Sequence, residues 1–520
     1  MKEIYLYDNQ KYTEPLINVW CAFPAVYNFG MSALGFLKVF QMIDETQGIL
    51  AERIFTDTKT TYIQFKNVDL ITFAFSFELD YTGILDILKK YNIPFLSKER
   101  NENYPLIMGG GPVLSANPEP FAEFFDFIMI GDAEPYINEV LEILKQNKTA
   151  EKNEKLQLLS KIEGIYVPSL KNENTKIRKI TYPLKDCTST PILTEGSFFP
   201  NTYIIEIERG CPQNCRFCLT SYINTPVRFC SYEKIIEKIE EGLNHTDKIA
   251  FLGALICSHP QIDDICDYII NKVKSGRNIE LSVSSLRADY VSDKTLEMLS
   301  LCGQKNATIA LEAGSERLRN VINKRLNRSD IMNLVDKMVK YGFSGLKIYG
   351  IIGLPTETYT DLDEFINLCN EIKTKYKNFT LTPSFSTFVP KAHTPFQFAK
   401  REDTKSLEKK NEYIKKNFAR TGIKIRTSSA KWDYIQSLLS RASRDLTPYL
   451  IDVYNNGVNL GNFKSIYKDY EKQNLLPSSD SFAIDELPLN SILPWDFIEY
   501  PKTKIMLENE YKSALKSVEI

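Results

Sequence analysis

Histidine is scarce in this chain, with 3 among 520 residues, at His245, His259 and His393. A structural zinc site normally has four cysteine or histidine ligands. Three closely spaced cysteines lie within residues 211–218, but no histidine follows them at zinc-finger spacing. The nearest further cysteine, Cys230, lies beyond an apparent loop. A classical structural zinc site is therefore disfavoured.

Long apolar runs and a strong net charge are also missing. The most apolar early stretch, Pro15 to Ile43, is interrupted by Asn18, Asn28, Ser32 and Lys38, which is typical of a soluble core and not of a membrane span. The net charge of −2 gives no indication of nucleic-acid binding. The beginning of the sequence does not resemble a signal peptide. We therefore expect a cytoplasmic protein whose ten cysteines are reduced thiols.

A chain of 520 residues is too long for one ordinary core, so two or three domains are expected. Residues 1–150 alternate between apolar strand-like runs, glycine-rich turns and helical patterns, which predicts a doubly wound parallel α/β sheet. Residues 151–195 are predicted to be a linker, and residues 401–520 a small, mostly helical C-terminal domain. The predicted strands of the first domain are Ile17–Phe23, Val68–Phe77, Pro105–Met108 and Phe125–Ile130.

Residues 196–400 alternate again and contain six predicted strand–helix units. Six units are fewer than the eight of a closed barrel, so the pattern predicts a partial (β/α) barrel. Its predicted strands are Tyr203–Glu208, Ile249–Leu252, Ile279–Val283, Ala307–Leu311, Leu346–Ile352 and Leu381–Phe388.

The first of these strands leads into three cysteines, Cys211, Cys215 and Cys218, with the spacing CxxxCxxC. Parallel α/β folds place their chemistry at the carboxyl ends of strands. Soft thiolates favour an iron–sulfur cluster or zinc over hard metals. Three protein ligands on a four-iron cluster would leave one iron open to another ligand. Four further cysteines match no cluster spacing and are expected to be buried: Cys230, Cys257, Cys266 and Cys302.

This cysteine motif, with Phe217 before its last cysteine, resembles the signature of the radical S-adenosylmethionine (SAM) enzymes. Residues 347–358 resemble a late strand of that superfamily. Residues 311–319 and 388–396 are similar to a branch with a cobalamin-binding-type domain ahead of the barrel. The resemblance covers nearly the whole chain.

The resemblance implies a 4Fe-4S cluster on the three cysteines, with SAM chelated to the fourth iron and cleaved to a 5′-deoxyadenosyl radical. It also implies an electron donor such as flavodoxin or ferredoxin. For Glu312, a salt bridge with Arg287 or Arg317 is the structural alternative. The residues expected to contact SAM are Phe217, Gly253, Ser284, Ser285, Arg287, Glu312, Gly353 and Pro355.

For the first domain the resemblance implies cobalamin, bound near Gly109, Gly110, Gly111 and Gly131. The DxHxxG loop that supplies an imidazole to cobalt is missing, and no histidine precedes His245. Any cobalamin is therefore expected to bind without histidine ligation.

Three functions follow from the resemblance. The leading hypothesis is a cobalamin-dependent radical SAM enzyme that methylates an unactivated carbon. The second is a radical SAM enzyme that forms carbon–carbon bonds, dehydrates or rearranges its substrate without methyl transfer. The third is a non-catalytic corrinoid-binding protein. The substrate remains open between a peptide, a lipid and a small metabolite.

Overall fold

The computed structural model of the chain describes residues 2–9 and 12–516. It consists of an N-terminal α/β sheet, a central partial barrel and a C-terminal helical region. None of the helices within these residues is long and apolar enough to cross a membrane.

The N-terminal part is built on a six-stranded sheet with the strand order β3-β2-β4-β5-β6-β7, parallel except for β7. Its elements are β1 (Glu3–Tyr5), β2 (Ile17–Phe23), α1 (Tyr27–Gly30), α2 (Leu34–Asp44), β3 (Ile49–Phe55), β4 (Leu70–Ala74), α3 (Tyr81–Lys90), β5 (Leu106–Gly110), α4 (Pro112–Ala116), β6 (Phe127–Met129), α5 (Ile137–Gln146), α6 (Lys152–Leu159) and β7 (Ile165–Tyr166).

Residues 151–195, treated above as a linker, carry regular structure. They include α6 and β7, followed by β8 (Ile177–Arg178) and β9 (Ile192–Thr194). Strand β7 extends the sheet beside β6, and β9 pairs with β1. These strand pairings attach the segment to the N-terminal part of the chain. Its strands are only two or three residues long, and such short strands leave no recognisable alternation of apolar and polar residues in the sequence.

The barrel strands form two groups, β10-β13-β14 and β15-β16-β17, joined by a bridge between Leu286 and Ile309. The six predicted strands are all present. The elements are β10 (Tyr203–Glu206), β11 (Glu208–Arg209), α7 (Leu219–Ile223), β12 (Arg228–Phe229), α8 (Tyr232–Leu243), β13 (Lys248–Leu252), α9 (Ile262–Lys274), β14 (Glu280–Val283), α10 (Asp293–Leu301), β15 (Asn306–Glu312), α11 (Glu316–Val321), α12 (Arg328–Lys340), β16 (Gly345–Ile352), α13 (Tyr359–Lys375) and β17 (Thr380–Thr387).

The C-terminal region is mostly helical, as expected, and it contacts both other parts. Its short strand β18 extends the barrel beside β17, and β19 pairs with β8. Helices α15 to α17 share one apolar core with one face of the N-terminal sheet. Its elements are α14 (Thr404–Phe418), β18 (Arg426–Thr427), α15 (Ala430–Arg441), α16 (Thr447–Asn456), α17 (Leu460–Lys472), α18 (Ser479–Ala483), β19 (Ile498–Glu499) and α19 (Lys504–Lys516).

Candidate active site

The cysteine loop connects β11 with α7 at the carboxyl end of the first barrel strand. It begins at Gly210, whose φ of 93° favours glycine. A Cβ there would lie 2.4 Å from the carbonyl oxygen of Asn224. The Cys215 side chain is buried, whereas Cys211 and Cys218 are half-buried. The loop thus places one thiol inside the protein and two at its edge.

The three cysteines are not arranged around a single ion. Among residues 2–9 and 12–516, no group of three or more histidine, cysteine or carboxylate side chains is placed to hold one metal ion. In an iron–sulfur cluster the metal is held by separate cysteine thiolates. The soft donor set suits an iron–sulfur cluster.

Cationic groups surround these thiols. Burial raises the pKa of the Cys215 thiol to about 11, while the nearby charges of Lys324 and Arg287 oppose this rise. Burial likewise raises the pKa of Cys211. Lys502 lies within electrostatic range of the half-buried cysteines and donates to the backbone oxygen of Ser221 at 2.9 Å. Such charges stabilise the thiolate form that a metal requires.

The expected SAM-binding residues Arg287 and Glu312 both lie within electrostatic range of Cys215. Glu312 has a φ of 67°, and its carboxylate lies 3.6 Å from the ammonium of Lys324. Arg287 pairs with Asp289 at 2.8 Å and donates to the backbone oxygen of Lys324. Its Nη1 atom is buried without a hydrogen-bond partner. The structure thus brings one carboxylate, one ammonium and one free guanidinium donor beside the buried cysteine.

Glu312 forms a salt bridge, as the structural alternative predicted, but the predicted partners, Arg287 and Arg317, were wrong. The ion pair is formed with Lys324, whereas Arg287 pairs with Asp289 and Arg317 pairs with Asp361. The reason is local: Lys324 follows α11 in a turn that the sequence pattern does not define.

Two other expected SAM contacts meet at neighbouring strand ends. The Ser284 hydroxyl donates to the backbone oxygen of Gly253 at 3.0 Å. A Cβ on Gly253 would lie 3.1 Å from Glu208 Cβ, so only glycine fits without movement. Ser285 follows directly and is half-buried. The buried carboxylate of Glu208 holds this turn by accepting from the backbone nitrogen of Leu255 at 2.8 Å.

The remaining expected contacts lie at the end of β16 and in the cysteine loop. Gly353 has a φ of 80°, and a Cβ there would lie 2.4 Å from Leu407 Cδ2 of α14. Packing against α14 therefore already requires this glycine. Pro355 is half-buried in the same loop. Phe217 is also half-buried and packs against an apolar cluster centred on α11 and the C-terminal helix.

An open cavity of about 340 Å³ lies between the N-terminal sheet and the barrel mouth. Gly110, Gly111 and Gly131 line its sheet side, together with residues of α2. The opposite wall comes from the barrel and the helix after the cysteine loop. Its residues are Glu206, Arg209, Ile223, Asn224 and Leu252.

Gly109, which was also expected to lie near cobalamin, is not among the residues that line this cavity. A Cβ on Gly109 would lie 2.6 Å from Leu114 Cδ1 and 2.9 Å from the Phe125 ring. The residue therefore faces the core. Gly110, one residue on, has only the backbone oxygen of Met129 within 4 Å of its Cβ position, at 3.9 Å. Alternation along β5 thus turns one glycine to the core and the next to the cavity.

A charge network crosses the cavity from one domain to the other. Arg209 donates to Glu134 of the N-terminal part and to Glu206 of the barrel, both at 2.7 Å. Arg228 donates to Asp132 at 2.6 Å. All these side chains are largely buried. Because Arg209 precedes the cysteine loop by one residue, the network ties that loop to the N-terminal sheet.

None of the three histidines, all of which the structure describes, lines the cavity. His245 is exposed, and His259 is buried with Nε2 2.9 Å from the Cys230 backbone oxygen. His393 lies against Tyr500, with ring centroids 4.3 Å apart, and burial lowers its pKa to about 3. The four further cysteines are all buried, as expected.

The sequence interpretation did not include Lys324, Lys502 or Glu206. Arg209 and the Gly131–Glu134 turn were visible in the motifs, but their contact across the domains was not. Lys502 comes from a turn before the last helix, where no pattern indicated a role near the cysteines.

Comparisons with known proteins identify two family models and several relatives of this chain. The family model described as "Radical SAM superfamily" matches residues 205–369, and "Radical SAM proteins, N-terminal" matches residues 35–168. An uncharacterized protein of Methanocaldococcus jannaschii is 29% identical over 441 residues, covering 83% of this chain and 90% of that protein. An uncharacterized methyltransferase of Pyrococcus horikoshii is 24% identical over 340 residues, covering 61% and 70%.

Two solved structures share the fold. TsrM from Kitasatospora setae, a radical SAM methyltransferase with cobalamin and a [4Fe-4S] cluster bound, superposes with a TM-score of 0.51 at 12% identity, covering 88% of this chain and 99% of TsrM. The cobalamin-dependent SAM radical enzyme OxsB superposes with a TM-score of 0.54 at 14% identity, covering 97% and 80%.

Fold and site together define an α/β protein of three parts, with a cysteine loop at the mouth of its partial barrel. The chain belongs to the radical SAM superfamily, and its overall fold is similar to that of TsrM and OxsB. Membership implies a 4Fe-4S cluster and SAM as cofactors.

Proposed function

We propose that this protein is a cobalamin-dependent radical SAM enzyme that methylates an unactivated carbon. The observation that carries the proposal is the cavity shared by the N-terminal sheet and the barrel mouth, beside the cysteine loop. Methyl transfer requires the donor and the acceptor at near-attack distance. A cavity walled by both domains offers one place for a methyl donor next to a barrel that holds the substrate.

When bound, the cluster and SAM supply a radical that can take hydrogen from carbon, and cobalamin supplies the methyl group. The chain's own residues hold and orient these groups. Cys211, Cys215 and Cys218 hold the cluster. The free Nη1 donor of Arg287 is suited to the SAM carboxylate, and Glu312 to its amine or ribose hydroxyls.

Gly110 allows a close approach of a large ring to the sheet edge, because its Cβ position is open. Gly111 and Gly131 have positive φ, and a Cβ on either would lie within 2.5 Å of the backbone of Phe75 or Ile180. No histidine lines the cavity, so we propose cobalamin binding without histidine ligation. The Pyrococcus relative is named as an uncharacterized methyltransferase, which supports the reaction class. A one-electron donor such as flavodoxin or ferredoxin and a reducing cytoplasm complete the proposal.

The test is the ratio of two products of SAM. Protein reconstituted anaerobically with iron, sulfide and cobalamin is incubated with SAM, a reductant and a small-molecule extract of the source cells. Methylation by this route uses one SAM as methyl donor and one as radical source, so S-adenosylhomocysteine and 5′-deoxyadenosine should form in equal amounts. 5′-Deoxyadenosine without S-adenosylhomocysteine would contradict methylation and favour radical chemistry without methyl transfer.

A further inference from the structure

The inner face of the barrel carries a group of polar side chains. They lie below the carboxyl ends of the strands, where SAM is expected to bind. On β16 the side chains of Leu346 and Ile348 are buried in the surrounding core, whereas Lys347 and Tyr349 are half-buried or exposed. Side chains alternate between the two faces of a strand. Lys347 and Tyr349 therefore face the inside of the barrel.

Hydroxyl groups flank these two residues on the neighbouring strands. Lys347 is in register with Thr308 on one side and Thr382 on the other. Tyr349 is in register with Ser384. Residues in register on neighbouring strands point to the same face, about 4.8 Å apart. The inner wall at this level is thus a belt of hydroxyls around one lysine.

A second cation lies at the open edge of the belt. Arg426 of β18 is in register with Ser384 and is exposed. Because Ser384 faces the inside, Arg426 lies on the same side. Two cations therefore stand on the inner face: Lys347 of β16 at the level of Thr382, and Arg426 of β18 two residue steps further along, at the level of Tyr349 and Ser384.

Neither cation has an anionic partner among the residues that the structure describes. The Lys347 ammonium contacts Tyr349, with Nζ donating to Oη at 3.1 Å and lying 4.6 Å from the ring centroid. An ammonium has three donors, so two remain available. Most lysines and arginines elsewhere near the barrel mouth pair with carboxylates, as Lys324 does with Glu312.

The belt lies well below the SAM end of the barrel. Lys347 is level with Thr308, four residues before Glu312 on β15, which corresponds to about 13 Å along a strand. Between these levels the inner face of β15 carries Ala310, which is in register with Tyr349.

We propose that Lys347, with Arg426 and the flanking hydroxyls, binds an anionic group of the substrate, a carboxylate or a phosphate. This rests on the proposed function, which takes the barrel to hold the substrate. The substrate is then an acid or a phosphate ester whose charge lies about 13 Å, four residue steps along a strand, below the level of Glu312. Lys347 positions the substrate and takes no part in bond breaking.

The experiment is calorimetric titration of cluster-reconstituted protein, without cobalamin, with inorganic phosphate, pyrophosphate and citrate. At least one of these anions should bind wild-type protein. Lys347→Met should weaken that binding about tenfold or more, the effect of losing a hydrogen bond to a charged group. Lys347→Arg should retain it. The matched control is Lys248→Met, because Lys248 is in register with Glu280 at the bottom of β13 and should leave binding unchanged.

The proposal is overturned if none of the three anions binds, if Lys347→Met binds as wild type does, or if Lys248→Met weakens binding equally. Cobalamin retention is measured separately on the same variants. Loss of cobalamin binding with intact anion binding would count against the proposed methylation alone, so the two failures are distinguishable.

Discussion

Gly110 offers the sharpest perturbation of the interdomain cavity. Its Cβ position has a single atom within 4 Å, the Met129 backbone oxygen at 3.9 Å, and the residue lines the cavity. Its φ is not in the left-handed region, so a side chain brings no backbone strain. Gly110→Val should therefore fold normally while filling part of the cavity.

The expected loss of cobalamin affinity follows from the volume of the added side chain. Valine adds three carbon atoms, each occupying about as much space as a water molecule, so roughly 90 Å³ is lost. The cavity measures about 340 Å³, so about a quarter of it is filled. Overpacking of this kind typically costs about 1–3 kcal/mol, which corresponds to about 5- to 150-fold weaker binding of a rigid ring. Gly110→Ala should give a smaller loss.

The assay is the visible absorbance of cobalamin retained per chain after anaerobic reconstitution and gel filtration, with iron content and unfolding midpoint measured in parallel. Gly110→Val should lose cobalamin but keep iron and stability. The matched control is Gly109→Ala, whose Cβ would lie 2.6 Å from Leu114 Cδ1 and should lower stability instead. Wild-type cobalamin retention in Gly110→Val would refute the placement of cobalamin in this cavity.

Three further outcomes are expected. Replacing all three loop cysteines with alanine should abolish iron binding and 5′-deoxyadenosine formation; full iron content would contradict the cluster assignment. Lys324→Met should lower the free energy of unfolding by about 3 kcal/mol in chemical denaturation, because it leaves buried Glu312 unpaired, and adding Glu312→Gln should restore most of it. His393 has a pKa of about 3 when folded against 6.5 when exposed, so its folded state loses stability as pH falls below 6.5. Wild type should lose about 1.4 kcal/mol relative to His393→Gln between pH 7.5 and 5.5, and equal pH profiles would refute this.

Strand positions were the most predictable part of the fold. Near-continuous apolar runs such as Leu70–Ala74 are typical of strands buried on both faces, and the cysteine spacing pointed to the mouth of the barrel. Strand β3 was missed, because Glu52 and Arg53 interrupt its apolar pattern at the edge of the sheet.

The side-chain contacts of the site were much less predictable. Arg209 and Glu134 are 75 residues apart, and their ion pair depends on how the two domains pack. The same holds for Lys502, which reaches the cysteine loop from the far end of the chain. Gly109 and Gly110 look equivalent in sequence, and only the register of β5 separates their roles. Such contacts depend on tertiary packing, which local patterns do not contain.

The most direct test of the account is the electron paramagnetic resonance spectrum of reduced, cobalamin-loaded protein. The account predicts a Co(II) signal of about one spin per chain whose superhyperfine pattern is the same with ¹⁵N-labelled and unlabelled histidine in the protein, because no histidine lines the cavity. A protein that binds no cobalamin, or a nitrogen splitting that changes with histidine labelling, would contradict it.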